Sequence, residues 1–504
     1  WDRQQRTLTL ARDRLGEKPL YYGWQGDVFL FGSELKALRS HPSFRAEVDR
    51  SALTLYMQCG YIPAPASIYR NVFKLLPGTY VQIAAAGPCG TLFEPRPYWS
   101  LRHAVERGAT DPYRGSDMDA VGELEAHLTR AISLQRIADV PLGAFLSGGV
   151  DSSMIVALMQ AASSSAVKTY TVGYHESAYS EAGYAQAVAK HLGTDHTELF
   201  VTAREALEVV PRLPGLYDEP FGDSSAIPAF LVSSFARRHV TVALSGDGGD
   251  ELFGGYTRYQ RTADIWRIIR HVPYPVRSAA ASGIRAWQCV RNGASAGEPV
   301  DRLALYLSAT TLEECYAAQI SRFPDVRDLV ISGSAASHES LAAPHSFHPG
   351  GVGFDQMMYT DTVKYLPDDI LAKVDRASMG VSLEVRVPML DHRVLEFAWR
   401  LPSKMKVRNR QGKWLLKQLL RKYLPASMIE RPKMGFGVPV GQWLRGPLRE
   451  WGEDLLADDR LRTQGFLNPQ VVRRQWHRHL SADRGESDVL WQILAFQAWV
   501  ADAA

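Results

Sequence analysis

Cysteine is scarce in this chain: four residues, Cys59, Cys89, Cys289 and Cys315, are spread over 504 positions. No two have zinc-ligand spacing, and so few thiols in so long a chain point to a reducing compartment, read here as cytoplasmic. No uninterrupted apolar run reaches membrane-spanning length, and no secretory leader opens the chain. An excess of one charge is also missing: 57 basic against 54 acidic residues leave a formal charge of +3. That balance makes no case for nucleic acid or for a membrane surface as partner. The GxxxxGK[ST] phosphate loop is absent, as is any internal repeat. What is present is ordinary globular composition, 46% hydrophobic and 22% charged, in a chain long enough for two or more domains. It opens at Trp1, in what reads as mid-strand, so the sequence predicts a natural N-terminus upstream.

One stretch organises the rest: Leu142-Gly143-Ala144-Phe145-Leu146-Ser147-Gly148-Gly149-Val150-Asp151-Ser152-Ser153. Residues 142–146 read as a buried strand and 152–162 as a helix, joined by a tight turn. Glycines let backbone approach a ligand closely. A helix N-terminus offers N–H groups and a positive dipole end to an anion. Ser147, Ser152 and Ser153 add hydroxyl donors. Asp151 repels phosphate, so its natural partner is a metal ion carried on the phosphates. A bare Ser-Gly-Gly would be only a strand-to-helix turn. The full Ser147–Ser153 run resembles the PP-loop of ATP pyrophosphatases, which cut ATP between its α and β phosphates.

From 140 to 246 strands and helices alternate. Strands are predicted over 142–146, 168–174, about 196–201 and 240–244, with helices over 152–162, 180–192 and 226–238. Thr202-Ala203-Arg204-Glu205 carries a capping-box pattern. The alternation predicts an α/β fold with a doubly wound parallel sheet, which binds ligands beyond the C-terminal strand ends. Residues 1–100 read as β-rich, with a hairpin marked by Gly23 and Gly26 and a short helix over 33–38. Residues 84–116 read as loop-rich and hold a domain linker, and a helix follows near 117–136. Residues 256–360 read as helix-rich, 333–353 as an exposed loop, and 361–504 as mainly helical.

A second turn, Ser245-Gly246-Asp247-Gly248-Gly249-Asp250-Glu251, again follows a strand; from Ser245 to Gly255 it packs three carboxylates and five glycines into 11 residues. Alone it could be a solvated acidic turn. Beside triphosphate, those carboxylates need Mg²⁺ between, and Asp151 and Asp250 are the candidates to share it. A third stretch, Leu366-Pro367-Asp368-Asp369-Ile370-Leu371-Ala372-Lys373-Val374-Asp375-Arg376-Ala377-Ser378-Met379, continues to Leu383-Glu384-Val385-Arg386-Val387-Pro388. As a helix it sets Asp368, Ala372, Asp375 and Met379 near one face, a pattern that also suits an ion-paired amphipathic helix. A fourth, Arg431-Pro432-Lys433-Met434-Gly435-Phe436-Gly437, holds a lysine in a Gly/Pro-pinned loop; it reads as a surface lysine or as one that reaches charge developing on phosphate.

Together, in this order, these stretches resemble the glutamine-dependent asparagine synthetase family. Arg12-Asp13-Arg14-Leu15-Gly16-Glu17-Lys18-Pro19-Leu20-Tyr21-Tyr22 and Phe31-Gly32-Ser33-Glu34-Leu35-Lys36 resemble the closing part of its glutaminase domain. The resemblance implies a PP-loop synthetase with many helices over 117–504, preceded over 1–100 by the remnant of an N-terminal-nucleophile glutaminase sandwich (a type 2 glutamine amidotransferase domain). It implies amidation of aspartate through β-aspartyl-AMP, with release of AMP and pyrophosphate, and with ATP and Mg²⁺ as cofactors. Nitrogen would come from glutamine in the intact protein and from ammonia in this chain, because the family's nucleophilic cysteine precedes residue 1; neither Cys59 nor Cys89 replaces it. Carried over by position, Leu146, Ser147, Gly148, Gly149, Asp151, Ser152, Val172, Ser245 and Gly246 bind ATP, and Asp151 and Asp250 hold the metal. Lys433, Asp247 and Glu384 are the catalytic candidates, and Asp368 and Asp375 orient substrate. A homodimer is implied. The acceptor stays open: a relative that amidates a sugar acid or closes a β-lactam-type ring would share the PP-loop, as would a scaffold that only binds nucleotide.

Overall fold

The computed structural model describes the chain except residues 86, 92, 175–180, 293–297, 324, 325, 327, 334–352, 432–436, 482–486 and 504. The loop predicted over 333–353 therefore lies almost wholly outside the described residues.

Five strands form the central sheet: β7 (Leu142–Phe145), β8 (Lys168–Tyr174), β9 (Asp195–Val201), β10 (Val242–Leu244) and β11 (Glu384–Arg386). Their order is β11-β10-β7-β8-β9, and every neighbouring pair is parallel. From β7 the chain winds outward through β8 and β9, then returns to the other side of β7 for β10. The order reverses between β7 and β10, so a crevice opens beyond their C-terminal ends. Helices Asp117–Gln135, Val150–Ala161 and Ala182–Leu192 share one large core with Ala144 and Leu244. Ala226–Arg237 packs with Tyr170, Ala243 and Val385 in another. The predicted strands and helices of this region are found within about three residues at each end, and Thr202 and Glu205 close the capping box.

Strand β11 was not foreseen. It is short and begins with a charged residue, and only pairing with β10 makes it a strand.

The N-terminal region has two three-stranded antiparallel sheets. One joins β1 (Thr7–Ala11), β5 (Thr79–Ala84) and β6 (Arg96–Pro97); the other joins β2 (Tyr21–Gln25), β3 (Val28–Gly32) and β4 (Val72–Lys74). Leu10, Val81 and Ile83 of the first meet Tyr22 of the second in one core, which makes a sandwich. Helix Arg50–Cys59 went unseen in the sequence; seven of its ten residues are buried. Tyr56 donates to the Gln492 carbonyl on the C-terminal helix Ser487–Ala503. The stretch assigned to a linker contains helix Leu101–Thr110, which packs on His392–Arg400. A Cβ at Gly108 would come within 2.3 Å of the Trp399 carbonyl oxygen, so glycine permits this contact.

Buried charge fastens the sandwich to the rest. Lys74 lies 2.8 Å from Glu219, both 7% exposed, and Glu219 also accepts from the Tyr21 hydroxyl and the Ile68 N–H. Removing one partner strands a buried charge. Lys74→Met should therefore cost about 3–5 kcal/mol in denaturant unfolding; a loss below about 1 kcal/mol would show that the pair holds nothing.

Among the described residues, no helix is long and apolar enough to cross a membrane.

Candidate functional site

Two loops meet at the crevice. The first leaves β7, turns through Ser147-Gly148-Gly149 and enters helix Val150–Ala161, whose N-cap Gly149 offers no side-chain cap. Gly148 has φ +71°, and a Cβ there would meet the Ala185 backbone nitrogen at 2.8 Å. The loop is braced from within. The Ser152 hydroxyl accepts from the Ser147 N–H at 3.2 Å and lies 3.0 Å from the Ser147 hydroxyl, which accepts from the Gly149 N–H.

The second loop leaves β10. Ser245 N–H donates to the Arg386 carbonyl of β11, and its hydroxyl donates to Asp247. A Cβ on Gly246 would come within 2.6 Å of the Ser152 nitrogen, and one on Gly249 within 2.3 Å of Asp151 Oδ1. The glycines of this loop thus let it lie directly on the start of the first loop's helix. Leu146 is buried, with its N–H bonded to the Tyr170 carbonyl, and Val172 is buried on β8.

The contact brings Asp151 and Asp250 onto one cation, a residue the sequence reading missed. Lys413 Nζ donates to Asp151 Oδ2 and lies 2.7 Å from Asp250 Oδ1. Burial disfavours the Lys413 ammonium, yet the two carboxylates outweigh it and hold its pKa above the usual lysine value. The signal was a Gly-Lys pair ahead of the apolar helix Trp414–Leu420. Lys413 sits at φ +58°, and a Cβ on Gly412 would clash with the Gly254 carbonyl at 2.1 Å.

Neighbouring acids are strongly perturbed. Burial pushes the Asp247 carboxyl up, against the Ser245 hydrogen bond that lowers it. Burial and then the Asp250 charge push Glu251, 1% exposed and bonded to the Tyr256 hydroxyl, up to about 7.

A second polar cluster adjoins the first; its Lys373 acts electrostatically on Asp247. Lys373 Nζ lies 2.8 Å from Asp223 Oδ2 and 2.8 Å from the Ser225 hydroxyl. Arg322 donates to the Gly222 carbonyl and lies 3.9 Å from Asp369. Burial opposes the Asp223 charge, but Lys373 and Arg322 hold its pKa well below the usual range. Asp369 goes the other way: burial, then Asp223, pushes its carboxyl from 3.8 up to about 7. Lys373 and Asp369 lay inside the third motif, but their convergence with Asp223 across 150 positions had no sequence signal.

This pKa shift gives a pH test. The folded state keeps a proton on Asp369 that the unfolded chain releases above about pH 4, so stability from this group is whole below that pH and is lost as pH rises through about 7. Asp369→Asn, always neutral, should raise the denaturation midpoint over wild type at about pH 8 and converge with it near pH 4. An equal gap at both pH values would contradict the assignment.

Three expectations require comment. Glu384 does not join the site. It opens β11 beside Val242, at the opposite end of the parallel strands from the loops, where it is exposed and pairs with Arg386 at 2.7 Å. Asp368 and Asp375 contact the N-terminal region: Asp368 accepts from the Ala64 N–H at 2.7 Å, and Asp375 pairs with Lys18 at 2.7 Å. Residues Asp361–Leu371 form a π-helix containing Pro367, and the α-helix Ala372–Met379 that continues it carries Asp375; both carboxylates turn toward the N-terminal region. Lys433 lies outside the described residues; the preceding Arg431 reaches the Ser147 carbonyl at 3.4 Å.

The donor set suits an ion delivered on phosphate. Among the described residues no three His, Cys, Asp or Glu side chains converge as a metal site. Asp151 and Asp250 offer two carboxylates, which leaves the remaining positions of a Mg²⁺ ion to phosphate oxygens and water.

Comparison with known proteins agrees with this architecture. Residues 123–501 match the family model described as asparagine synthase, and residues 1–99 match the one described as a glutamine amidotransferase domain. The chain is similar to a putative glutamine-hydrolysing asparagine synthetase of Mycobacterium tuberculosis, 32% identical over 99% of this chain and 75% of that protein. It is similar to asparagine synthetase [glutamine-hydrolyzing] 1 of Bacillus subtilis, 28% identical over 99% of this chain and 76% of that protein. It is also similar, more distantly, to amidase chry2 of Gibberella zeae, 24% identical over 94% and 74%.

Proposed function

The chain belongs to the asparagine synthase family, and from that membership we propose that it amidates aspartate at the cost of ATP, with nitrogen from glutamine or ammonia. The observation that carries this reading is the convergence of Asp151 and Asp250 on Lys413 at the sheet's reversal point. In this reading residues 117–504 are the synthetase unit and residues 1–100 belong to the glutaminase unit.

ATP would lie across the two loops. The Ser147, Gly148, Gly149 and Ser152 turn and the Val150–Ala161 helix end face its phosphates; Leu146, Val172, Ser245 and Gly246 flank the nucleoside. Asp151 and Asp250 would hold Mg²⁺, which would neutralise phosphate charge and favour departure of pyrophosphate. With an ion held between these carboxylates, the Lys413 ammonium would be available to phosphate oxygens. Asp247, whose pKa is raised by burial, is proposed to act near the acceptor carboxylate as it approaches the α-phosphate. Lys433 is proposed to steady charge on the phosphate during adenylation.

The cluster of Asp223, Asp369, Lys373 and Arg322 supports an amino acid as acceptor. It offers both signs of charge within a few ångströms, which suits the ammonium and carboxylate of a zwitterion better than the single charge of a sugar acid. Asp368, Arg12, Glu17 and Arg376 line a cavity of about 40 Å³ between the sandwich and the synthetase unit. That space is large enough for ammonia and supports passage of nitrogen across the seam.

The test is pyrophosphate release from Mg-ATP with aspartate present, and with ammonium or glutamine added or withheld. Release that depends on aspartate, with asparagine formed from ammonium, supports the reading. Release that ignores aspartate but responds to another carboxylate would replace aspartate as the acceptor.

A further inference from the structure

The net charge hides a local asymmetry. Residues 265–297 contain five arginines and a histidine and no aspartate or glutamate. The same stretch gathers exposed apolar side chains: Ile268 is 71% exposed, Val276 58%, Trp287 49% and Tyr274 46%. These lie at the end of helix Thr257–Ile269 and along helix Tyr274–Asn292.

The arrangement has two sides. On the long helix, Val276, Ala279, Ala280, Gly283 and Trp287 recur at helical spacing and are all exposed. Its inward side carries buried Arg277, which donates to the Leu307 and Ala309 carbonyls, and buried Ala281. Arg285 is tied to Ser308 on the neighbouring helix. The apolar stripe is thus held facing outward by its own packing. At its tip, Arg267, Arg270 and His271 are exposed beside Ile268 and Val272. The nearby acid Asp264 is already shared by Arg267 and Arg410.

We propose that this helical tip docks the protein onto an anionic lipid surface. Exposed aliphatic residues with an aromatic ring suit the boundary between headgroups and acyl chains, and arginines beside them suit anionic headgroups. Nucleic acid fits less well, because Ile268, Val272 and Val276 neither stack nor hydrogen-bond. A second copy fits less well too, because a two-fold contact would bring together two copies of the same basic patch.

The experiment is co-sedimentation of the full chain with phosphatidylcholine vesicles, with and without phosphatidylglycerol, at low and high salt. The expected result is binding to the anionic vesicles alone, weakened by salt. Arg267→Gln and Arg270→Gln should each weaken partitioning about fivefold. Ile268→Asp with Val276→Asp should abolish it, while circular dichroism and pyrophosphate release stay at wild-type values. No binding to anionic vesicles, or binding that neither pair of substitutions changes, would overturn the proposal. So would a stable dimer, or binding to RNA, that the Asp pair abolishes.

Discussion

Asp151→Asn is expected to lower pyrophosphate release from Mg-ATP by roughly two to three orders of magnitude while leaving the fold intact. Asparagine keeps the size and one acceptor oxygen of the native side chain, and Lys413 retains Asp250 at 2.7 Å. What it loses is the negative charge that must face a divalent ion. The loss should therefore depend on metal: raising Mg²⁺ should recover part of the rate in the variant and little in wild type. Unchanged turnover would sink the assignment of Asp151 to the metal. Asp250→Asn should behave alike, and the double variant should be little worse than either single one, because both act through one ion.

The second large effect concerns stability. Lys413 is 8% exposed and stands between two carboxylates. Lys413→Met keeps the aliphatic stem and removes the charge, which leaves Asp151 and Asp250 facing each other without their shared cation. The expected cost is about 3–5 kcal/mol in denaturant unfolding. Millimolar Mg²⁺ should restore more stability to the variant than to wild type, because an ion bound only by the folded state stabilises it and the vacated position favours binding. Equal Mg²⁺ effects on both proteins would show that Lys413 and the ion do not share a place. Catalysis should fall as well, through loss of a cation for the phosphates.

The second prediction turns on a residue that sequence reading passed over. The two loops could be read directly because each is a local pattern: an apolar strand, then Ser and Gly, then an acid at a helix start. Lys413 stands 262 positions from Asp151, in a segment with no pattern beyond a glycine before it. Glu384 illustrates the reverse error. It sits in a well-marked motif, but parallel register puts it at the far end of the strands. Asp368, in the π-helix, and Asp375, in the α-helix that follows, both contact the sandwich, a long-range contact that local spacing does not reveal.

The amino-acid sequence by itself determined the alternation of strands and helices over 140–246, the doubly wound parallel class and the two glycine-rich turns, because these depend on hydrophobic period and on turn chemistry over a few neighbouring residues. Only the tertiary structure decided which charges meet. Asp151, Asp250 and Lys413 form one cluster, and Asp223, Asp369, Lys373 and Arg322 another, because long-range packing brings distant residues within a few ångströms. The energy of a buried charge depends on that distance and on excluded water, neither of which is written in local order.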